Sequence, residues 1–207
     1  MKFDETARAA LSEVLRWRRD VRHFRPDPLD EAVLDRLRAA MERAPSVGNS
    51  RPWRVLRVED KALRAAVKAS FQRCNAEAAA GYRGEKAQAY AQLKLQGMDQ
   101  APVQLAVFTE TDPEAGAGLG RRTMPETLRQ STAMAIHTLW LAARAENVGM
   151  GMVSIIDPEE VAQILSAPAN WAFEGWICLG HTEFDDDTPL LARVGWQEDA
   201  ETVWKTV

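Results

Sequence analysis

Hydrophobic residues recur at intervals of three and four along much of this chain, the spacing that places them on one face of an α-helix. The first such segment runs from about Asp4 to Trp17. Asp27 followed by Pro28 is typical of a helix start, because aspartate caps helix N-termini and proline fits the first helical position. Further helices are predicted from Asp60, over 75–97 with a break near Gly81–Gly84, over Met124–Glu146 as the longest, and from Asp157.

Four shorter apolar runs are typical of buried strands. They cover Trp53–Val58, Val103–Thr109, Gly151–Ile156 and Gly175–Gly180. The helices and strands do not follow one another in regular strand–helix–strand units, so the pattern favours an α+β fold over a doubly wound parallel sheet. No repeat or low-complexity linker interrupts residues 1–207, and we expect a single domain.

Two features indicate a second subunit. The segment Met124–Glu146 is apolar on nearly every face, so we expect it to be buried all round, which a domain of this size rarely achieves alone. Trp196 and Trp204 lie in an irregular C-terminal tail, about 185–207, that has no obvious partner element. Both features favour an interface between two copies of the chain.

Composition narrows the functional classes without deciding among them. Of 207 residues, 46% are hydrophobic and 27% are charged, which fits an ordered globular domain. The net charge of −4 argues against general nucleic-acid binding. Two cysteines and three histidines form no ligand cluster in the sequence, so we expect no metal site. The chain has no apolar run of ~20 residues and no apolar segment at its start, so we expect a cytoplasmic protein without a membrane partner.

An arginine-rich stretch after the first helix is the first candidate for chemistry. Arg18, Arg19 and Arg22 surround a single carboxylate, Asp20. Guanidinium groups bind phosphate oxygens through paired hydrogen bonds, so the stretch fits a phosphate site. It also fits a solvated basic face paired with the chain's carboxylates, which spacing alone slightly favours.

Two loops are further candidates. The loop Pro45–Trp53 carries hydroxyl, amide and backbone donors that can surround a heterocycle, although it also fits an ordinary connection between a helix and a strand. The segment Gly116–Arg122 lacks the glycine spacing and the acidic residue of a dinucleotide-binding fingerprint. A flexible lid is the better functional interpretation of this segment.

Ser154 is the last candidate, inside the apolar run Met152–Ile155. A buried hydroxyl there needs a hydrogen-bond partner, and a backbone carbonyl is the simpler interpretation. No Gly-x-Ser-x-Gly motif surrounds it, so the sequence does not indicate a serine hydrolase. We expect His137 to lie on a buried helix and Cys178, in an apolar strand, to be unreactive.

Taken together, these segments resemble the nitroreductase superfamily over about residues 10–197. Arg18–Phe24 and Ala44–Trp53 are similar to its flavin-binding signatures. Gly118–Thr127 and Val153–Ile155 are similar to one branch, which uses oxygen to fragment reduced FMN into 5,6-dimethylbenzimidazole, the lower ligand of cobalamin, and erythrose 4-phosphate. In that branch a separate flavin reductase supplies reduced FMN.

The resemblance implies an FMN fold with a central sheet, mixed but mostly antiparallel, flanked by helices. It implies a domain-swapped homodimer, with the tail from about 185 to 207 wrapping the partner. It also assigns residues. Asp20 and Ser154 correspond to an essential aspartate that moves protons and an essential serine near the reacting ring. The residues expected to contact the cofactor are Arg18, Arg19, Asp20, Val21, Arg22, Ser46, Asn49, Leu119 and Ser154.

Three positions depart from the branch pattern. Arg51 stands where glutamine is common, Met152 where an aromatic residue is common, and Gln130 where tyrosine is common. The same resemblance allows an NAD(P)H-dependent FMN nitroreductase in which the flavin survives, or a flavin-binding protein without activity. A nucleic-acid-binding module is the weakest alternative.

Overall fold

The computed structural model describes residues 1–93, 95 and 97–207. Those residues form seven α-helices and four β-strands. The helices are α1 (Glu5–Trp17), α2 (Glu31–Met41), α3 (Lys61–Ala80), α4 (Gly84–Gln92), α5 (Thr127–Ala145), α6 (Pro158–Ile164) and α7 (Leu190–Arg193). The strands are β1 (Trp53–Arg57), β2 (Val103–Glu110), β3 (Gly149–Val153) and β4 (Trp171–Gly180). The helix expected over 75–97, with its break, is confirmed as far as Gln92, and its extension to 97 is wrong at the described residues Leu93, Leu95 and Gly97, which are not helical; Lys94 and Gln96 lie outside the described residues.

Aspartate caps three of the predicted helix starts. Asp4, Asp60 and Asp157 each accept backbone N–H groups from the first turn of their helices, as expected. The prediction that Asp27 caps the second helix is wrong. Asp30 caps it instead, accepting from the Ala32 N–H at 2.8 Å. Leu29 packs into the core, with 7% of its surface exposed, and the chain turns into the helix only after it.

The four strands form one sheet in the order β1-β2-β4-β3, and every neighbouring pair is antiparallel. Glu174 is the extra residue of a β-bulge, because Val107 lies opposite Gly175 and Phe108 lies opposite Phe173. A parallel element enters through a single bridge between Asp20 and Met150, beside the β3 edge. The α+β class is therefore confirmed.

Apolar side chains pack on both faces of the sheet because neighbouring strand residues point in opposite directions. Val107 and Ile177 pack on one face with residues of α2 and α5. Phe108 and Trp176 pack on the other face with residues of α3 and α6. The sheet is thus a central layer between two layers of helices. Within the described residues, no helix is long and apolar enough to cross a membrane.

Within a single chain, helix α5 is buried on one side only, and the expected burial of its other side against a second copy stays a prediction. Ala135 and Leu139 face the core, whereas Met134 is 41% exposed and His137 is exposed rather than buried. One chain supplies neighbours for a single face of this apolar helix. The prediction that this is the longest helix is wrong, because α5 has 19 residues and α3 has 20.

The C-terminal tail begins on its own chain. The Trp196 ring packs edge-on against Tyr82, with centroids 5.4 Å apart, and Lys86 Nζ lies 4.1 Å from the Trp196 ring centroid. Trp204, eight residues later, is 89% exposed. The wrapping of a partner by residues 185–207 stays a prediction, since the tail contacts its own chain at Asp185, at Asp187 and as far as Trp196.

Candidate active site

The arginine-rich stretch runs alongside the edge strand β3. The Val21 N–H donates to the Met150 carbonyl at 3.0 Å. A Cβ atom at Gly151 would lie 2.1 Å from the Val21 carbonyl oxygen, so only glycine permits this approach. The stretch is therefore fixed to the sheet by backbone contacts, and its side chains project from a rigid frame.

Asp20 and Arg22 form a clamp on one residue of β3. Asp20 Oδ1 accepts the Met152 N–H at 3.0 Å, and Arg22 Nη2 donates to the Met152 carbonyl at 2.7 Å. The same guanidinium nitrogen donates to Asp20 Oδ2, which closes the clamp. The Asp20 side chain remains 44% exposed. Its carboxylate is held in one orientation while part of it stays accessible to a ligand.

Ser154 lies two residues beyond the clamped Met152, so the two Cα atoms are at most ~7 Å apart. The expectation that it sits inside a buried strand is wrong. Strand β3 ends at Val153, and Ser154 is exposed immediately after it. Its hydroxyl is therefore available to a ligand near the Asp20 clamp.

The arginines themselves border a cavity of about 50 Å³. The Arg18 guanidinium lies over the Trp140 ring, 5.3 Å from its centroid. Burial, and secondarily the positive charge of Arg19, lowers the pKa of Arg18. Arg19 donates to the Arg18 carbonyl at 2.6 Å and to the Asp187 carbonyl. The Arg22 side chain is only 11% exposed, so the alternative of a solvated basic face does not describe this residue.

Two donors in this cluster are buried without a hydrogen-bond partner in the described part of the chain: Arg19 Nε and Arg22 Nη1. A buried, unpaired donor on a charged group is costly, so each calls for an acceptor. A phosphate group, with several anionic oxygens, satisfies donors of this kind. The donor set therefore fits the phosphate of FMN.

Sequence reasoning missed two cationic members of the cavity lining, Arg144 and Arg193. Arg144 sits near the end of α5, and Arg193 ends α7. Neither lies in a motif or within a hundred residues of Arg18–Arg22 in the sequence. No local pattern links them to the stretch, and only the packing of α5 and the tail does so.

The loop Pro45–Trp53 forms a second group of candidate residues. Ser46 Oγ accepts the Arg51 N–H at 3.0 Å, and Ser131 Oγ on α5 accepts the Val47 N–H at 3.0 Å. Asn49 is exposed with a φ of 54°, a left-handed backbone conformation. These contacts fix the loop against the first turns of α5.

The glycine-rich segment packs directly on that loop. A Cβ atom at Gly48 would lie 3.0 Å from the Gly116 carbonyl oxygen, and one at Gly116 would lie 2.9 Å from the Gly48 carbonyl oxygen. Both glycines have positive φ. Leu119, at the centre of the segment, is 73% exposed. The segment thus presents an apolar side chain above the loop.

The predicted site residues therefore fall into two groups within one chain. The first comprises Arg18, Arg19, Asp20, Val21, Arg22 and Ser154; the second comprises Ser46, Asn49 and Leu119. The first group contacts α5 at Trp140 and the second at Ser131, nine residues apart, which is about 13 Å along a helix axis. The structure does not bring the two groups together in one cavity.

Comparison with known proteins identifies the family of this chain. Residues 15–181 match the Nitroreductase family model. The chain belongs to the nitroreductase family. The resemblance noted in the sequence is confirmed, both for this family and for its dimethylbenzimidazole-forming branch.

Proteins with high sequence identity to this chain share one name. A protein of Rhodobacter capsulatus named 5,6-dimethylbenzimidazole synthase is 67% identical over 205 residues, which cover 99% of each chain. A protein of Rhodospirillum rubrum with the same name is 52% identical over 94% of this chain and 92% of its own.

Solved structures confirm the nitroreductase fold. Oxidised iodotyrosine deiodinase bound to FMN and 3-iodo-L-tyrosine superposes with a TM-score of 0.75, at 21% identity, over 95% of this chain and 100% of its own. A nitroreductase with bound FMN from Desulfitobacterium hafniense gives a TM-score of 0.63, at 20% identity, over 84% of this chain and 90% of its own.

Proposed function

We propose that this chain is a 5,6-dimethylbenzimidazole synthase, which uses oxygen to fragment reduced FMN into 5,6-dimethylbenzimidazole and erythrose 4-phosphate. The observation that carries the proposal is the 67% identity over 99% of the chain to a protein of that name. The bound FMN of two structural neighbours and the unpaired arginine donors support FMN as the ligand.

The arginine cavity would hold the phosphate end of FMN. Arg19 Nε and Arg22 Nη1 have no acceptor among the residues that the structure describes, and Arg18 is already oriented by the Trp140 ring. Hydrogen bonds from ionised donors to phosphate are among the stronger ones in proteins. Because the arginines are fixed by backbone and ring contacts, binding requires little further ordering of side chains.

Asp20 and Ser154 would act at the ring end. Reduced FMN supplies both the electrons for oxygen and the carbon skeleton of the product. The Asp20 carboxylate, held by the Met152 N–H and by Arg22, keeps free lone pairs on its exposed side and can accept a proton there. The exposed Ser154 hydroxyl can donate or accept a hydrogen bond close by.

A homodimer would complete the site. The two groups of site residues lie about 13 Å apart along α5 in one chain, with the exposed Met134 and His137 between those levels. If two copies pack through this face of α5, the arginine group of one copy can meet the Ser46 and Asn49 loop of the other. The tail beyond Trp196 would then wrap the partner.

The segment Gly116–Arg122 would serve as the lid. Its glycines at 116, 118 and 120 have positive φ, and their backbone can change conformation without a Cβ penalty. The exposed Leu119 can close over a bound flavin and exclude water from the reacting ring.

The decisive experiment follows the fate of the flavin. Purified protein is mixed with FMN, reduced with dithionite without oxygen, and then exposed to air, and the products are identified by mass spectrometry. We expect 5,6-dimethylbenzimidazole from the wild type. An Asp20→Asn variant should bind FMN but form no product, whereas Asp27→Asn, which alters an exposed ion pair with Arg25, should behave as wild type.

The other outcomes are equally informative. Reoxidised, intact FMN with hydrogen peroxide as the only product would refute the proposal. Rapid NAD(P)H oxidation with a nitroaromatic acceptor would instead establish a nitroreductase, and FMN binding without either activity would indicate a flavin binder. A product that forms with dithionite but not with NAD(P)H alone would support the need for a separate flavin reductase.

A further inference from the structure

An acidic segment of the tail, Phe184–Arg193, faces the arginine cavity; we refer to it as the acidic strap. Its three successive aspartates each meet a different arginine. Asp187 accepts from Arg16 at 2.8 Å. Asp185 accepts from Arg144 at 2.5 Å, and Asp186 pairs with Arg193 at the end of the strap itself.

Further contacts fix the strap in place. The Asp187 backbone carbonyl accepts from Arg19 Nη2, directly across from the arginine stretch. Phe184 packs against His23, with ring centroids 5.3 Å apart, and the Arg193 guanidinium lies 5.8 Å from the Phe184 ring centroid. The strap is therefore a built wall of the cavity rather than a loose end of the chain.

The charges that line the cavity are unequal. Among the described residues that line it, five guanidinium groups (Arg18, Arg19, Arg22, Arg144 and Arg193) and three carboxylates (Asp20, Asp185 and Asp186) leave a formal charge of +2. A phosphate monoester carries about −1.5 to −2 at pH 7. The cavity charge therefore suits one phosphate monoester, and discrimination against a dinucleotide rests on the shape of the strap.

The space is also limited. A volume of about 50 Å³ is several times the ~10–15 Å³ that one water molecule needs on the same measure, but it is far below the roughly 300–1,000 Å³ of pockets for whole ligands. It has room for a single small anionic group. A second phosphate with an attached nucleoside would have to displace the strap.

We propose that the acidic strap is a specificity element, which selects flavins that end in a phosphate monoester and excludes flavin dinucleotides. The inference rests on the proposed function only in placing the flavin phosphate at the arginines. FMN would end within the cavity. FAD, which continues through a second phosphate to adenosine, would meet Asp185 and Asp186 held in place by Arg144 and Arg193.

The test measures binding of oxidised flavins, which needs no turnover. Flavin-free, full-length protein is titrated with FMN, FAD and riboflavin, and dissociation constants are obtained from flavin fluorescence and calorimetry. The wild type should bind FMN at least a hundredfold more tightly than either of the others. FAD binding as tight as FMN binding would overturn the inference at once.

Two matched double variants separate shape from charge. Asp185→Ala with Asp186→Ala opens the wall, and we expect the ratio of FAD to FMN dissociation constants to fall at least tenfold. Asp185→Asn with Asp186→Asn keeps the shape and a hydrogen-bond acceptor, so the ratio should stay within about threefold of wild type. Thermal unfolding of each variant checks that it is folded.

An unchanged ratio in the folded alanine variant would overturn the inference, as would an equal fall in the asparagine variant. These failures are distinct from failure of the proposed function. If the wild type fragments FMN and the alanine variant keeps full selectivity for FMN, only the proposed role of the acidic strap is refuted. If the alanine variant loses selectivity for FMN but the wild type yields no dimethylbenzimidazole, only the proposed reaction is refuted.

Discussion

Replacement of Gly151 by alanine tests the contact that joins the arginine-rich stretch to the sheet. A Cβ atom there would lie 2.1 Å from the Val21 carbonyl oxygen and 3.2 Å from its carbonyl carbon. Non-bonded atoms rest at roughly 3.0–3.5 Å or more, so the two segments would have to separate by about 1 Å. Both opposing atoms belong to the backbone, so no side-chain rotation relieves the overlap.

The expected loss of folding stability in Gly151→Ala has two parts. Insertion of a methyl group into a closely packed contact costs about 1–3 kcal/mol. The separation also weakens the hydrogen bond from the Val21 N–H to the Met150 carbonyl, now 3.0 Å, which contributes about 1 kcal/mol. The free energy of unfolding should fall by about 2–4 kcal/mol, and for a chain of this length Tm should fall by about 4–15 °C. FMN affinity should fall at least about tenfold because Asp20 and Arg22 move with Val21.

The assays are thermal unfolding without flavin and titration with oxidised FMN. Gly175→Ala is the matched control on the neighbouring strand. Its Cβ atom would lie 2.4 Å from Met152 Cε, the flexible end of a side chain that can turn away, so Tm should change by less than about 4 °C. A Gly151→Ala protein with wild-type Tm would refute the packing argument. Normal FMN affinity despite a lowered Tm would refute the placement of the phosphate site beside Val21.

Three further predictions use other parts of the molecule. Trp140→Leu removes the ring beneath the arginine-rich stretch and should weaken FMN binding about tenfold. Trp140→Phe keeps an aromatic face and should lose less FMN affinity. Equal FMN affinity in both variants and the wild type would contradict this prediction. Burial raises the pKa of the Cys178 thiol to about 12, so at pH 8 a thiol reagent should modify only the half-buried Cys74 until the protein unfolds, and two rapidly reacting thiols in the native protein would be the contrary result. A hydrogen bond from Arg73 lowers the pKa of Glu160 from 4.5 to about 2, so its contribution to stability is complete above pH 4.5 and is lost as the pH falls toward 2. The difference in Tm between wild type and Glu160→Gln should shrink over that interval, and a difference that is constant from pH 7 to pH 2.5 would show that the ion pair does not stabilise the fold.

Local chemistry allowed most of the elements to be predicted. The helices after Asp4, Asp60 and Asp157 begin where a side-chain oxygen can reach N–H groups two or three residues ahead, and those partners are adjacent in the sequence. The start at Asp27 was wrong because the burial of Leu29, a contact with distant residues, decided where α2 begins. Ser154 is exposed because β3 ends at Val153, three residues before the predicted strand end at Ile156.

The sequence by itself determined the α+β class, the family, and the arginine and loop motifs, because each of these is encoded by residues close together in the chain. Only the tertiary structure decided what surrounds them. The contact of Arg22 with the Met152 carbonyl spans 130 residues, and that of Arg19 with the Asp187 carbonyl spans 168. The same packing brings Arg144 and Arg193 into the cavity and leaves one apolar face of α5 uncovered. Such contacts depend on how whole layers of the fold meet, and no spacing within a single segment specifies them.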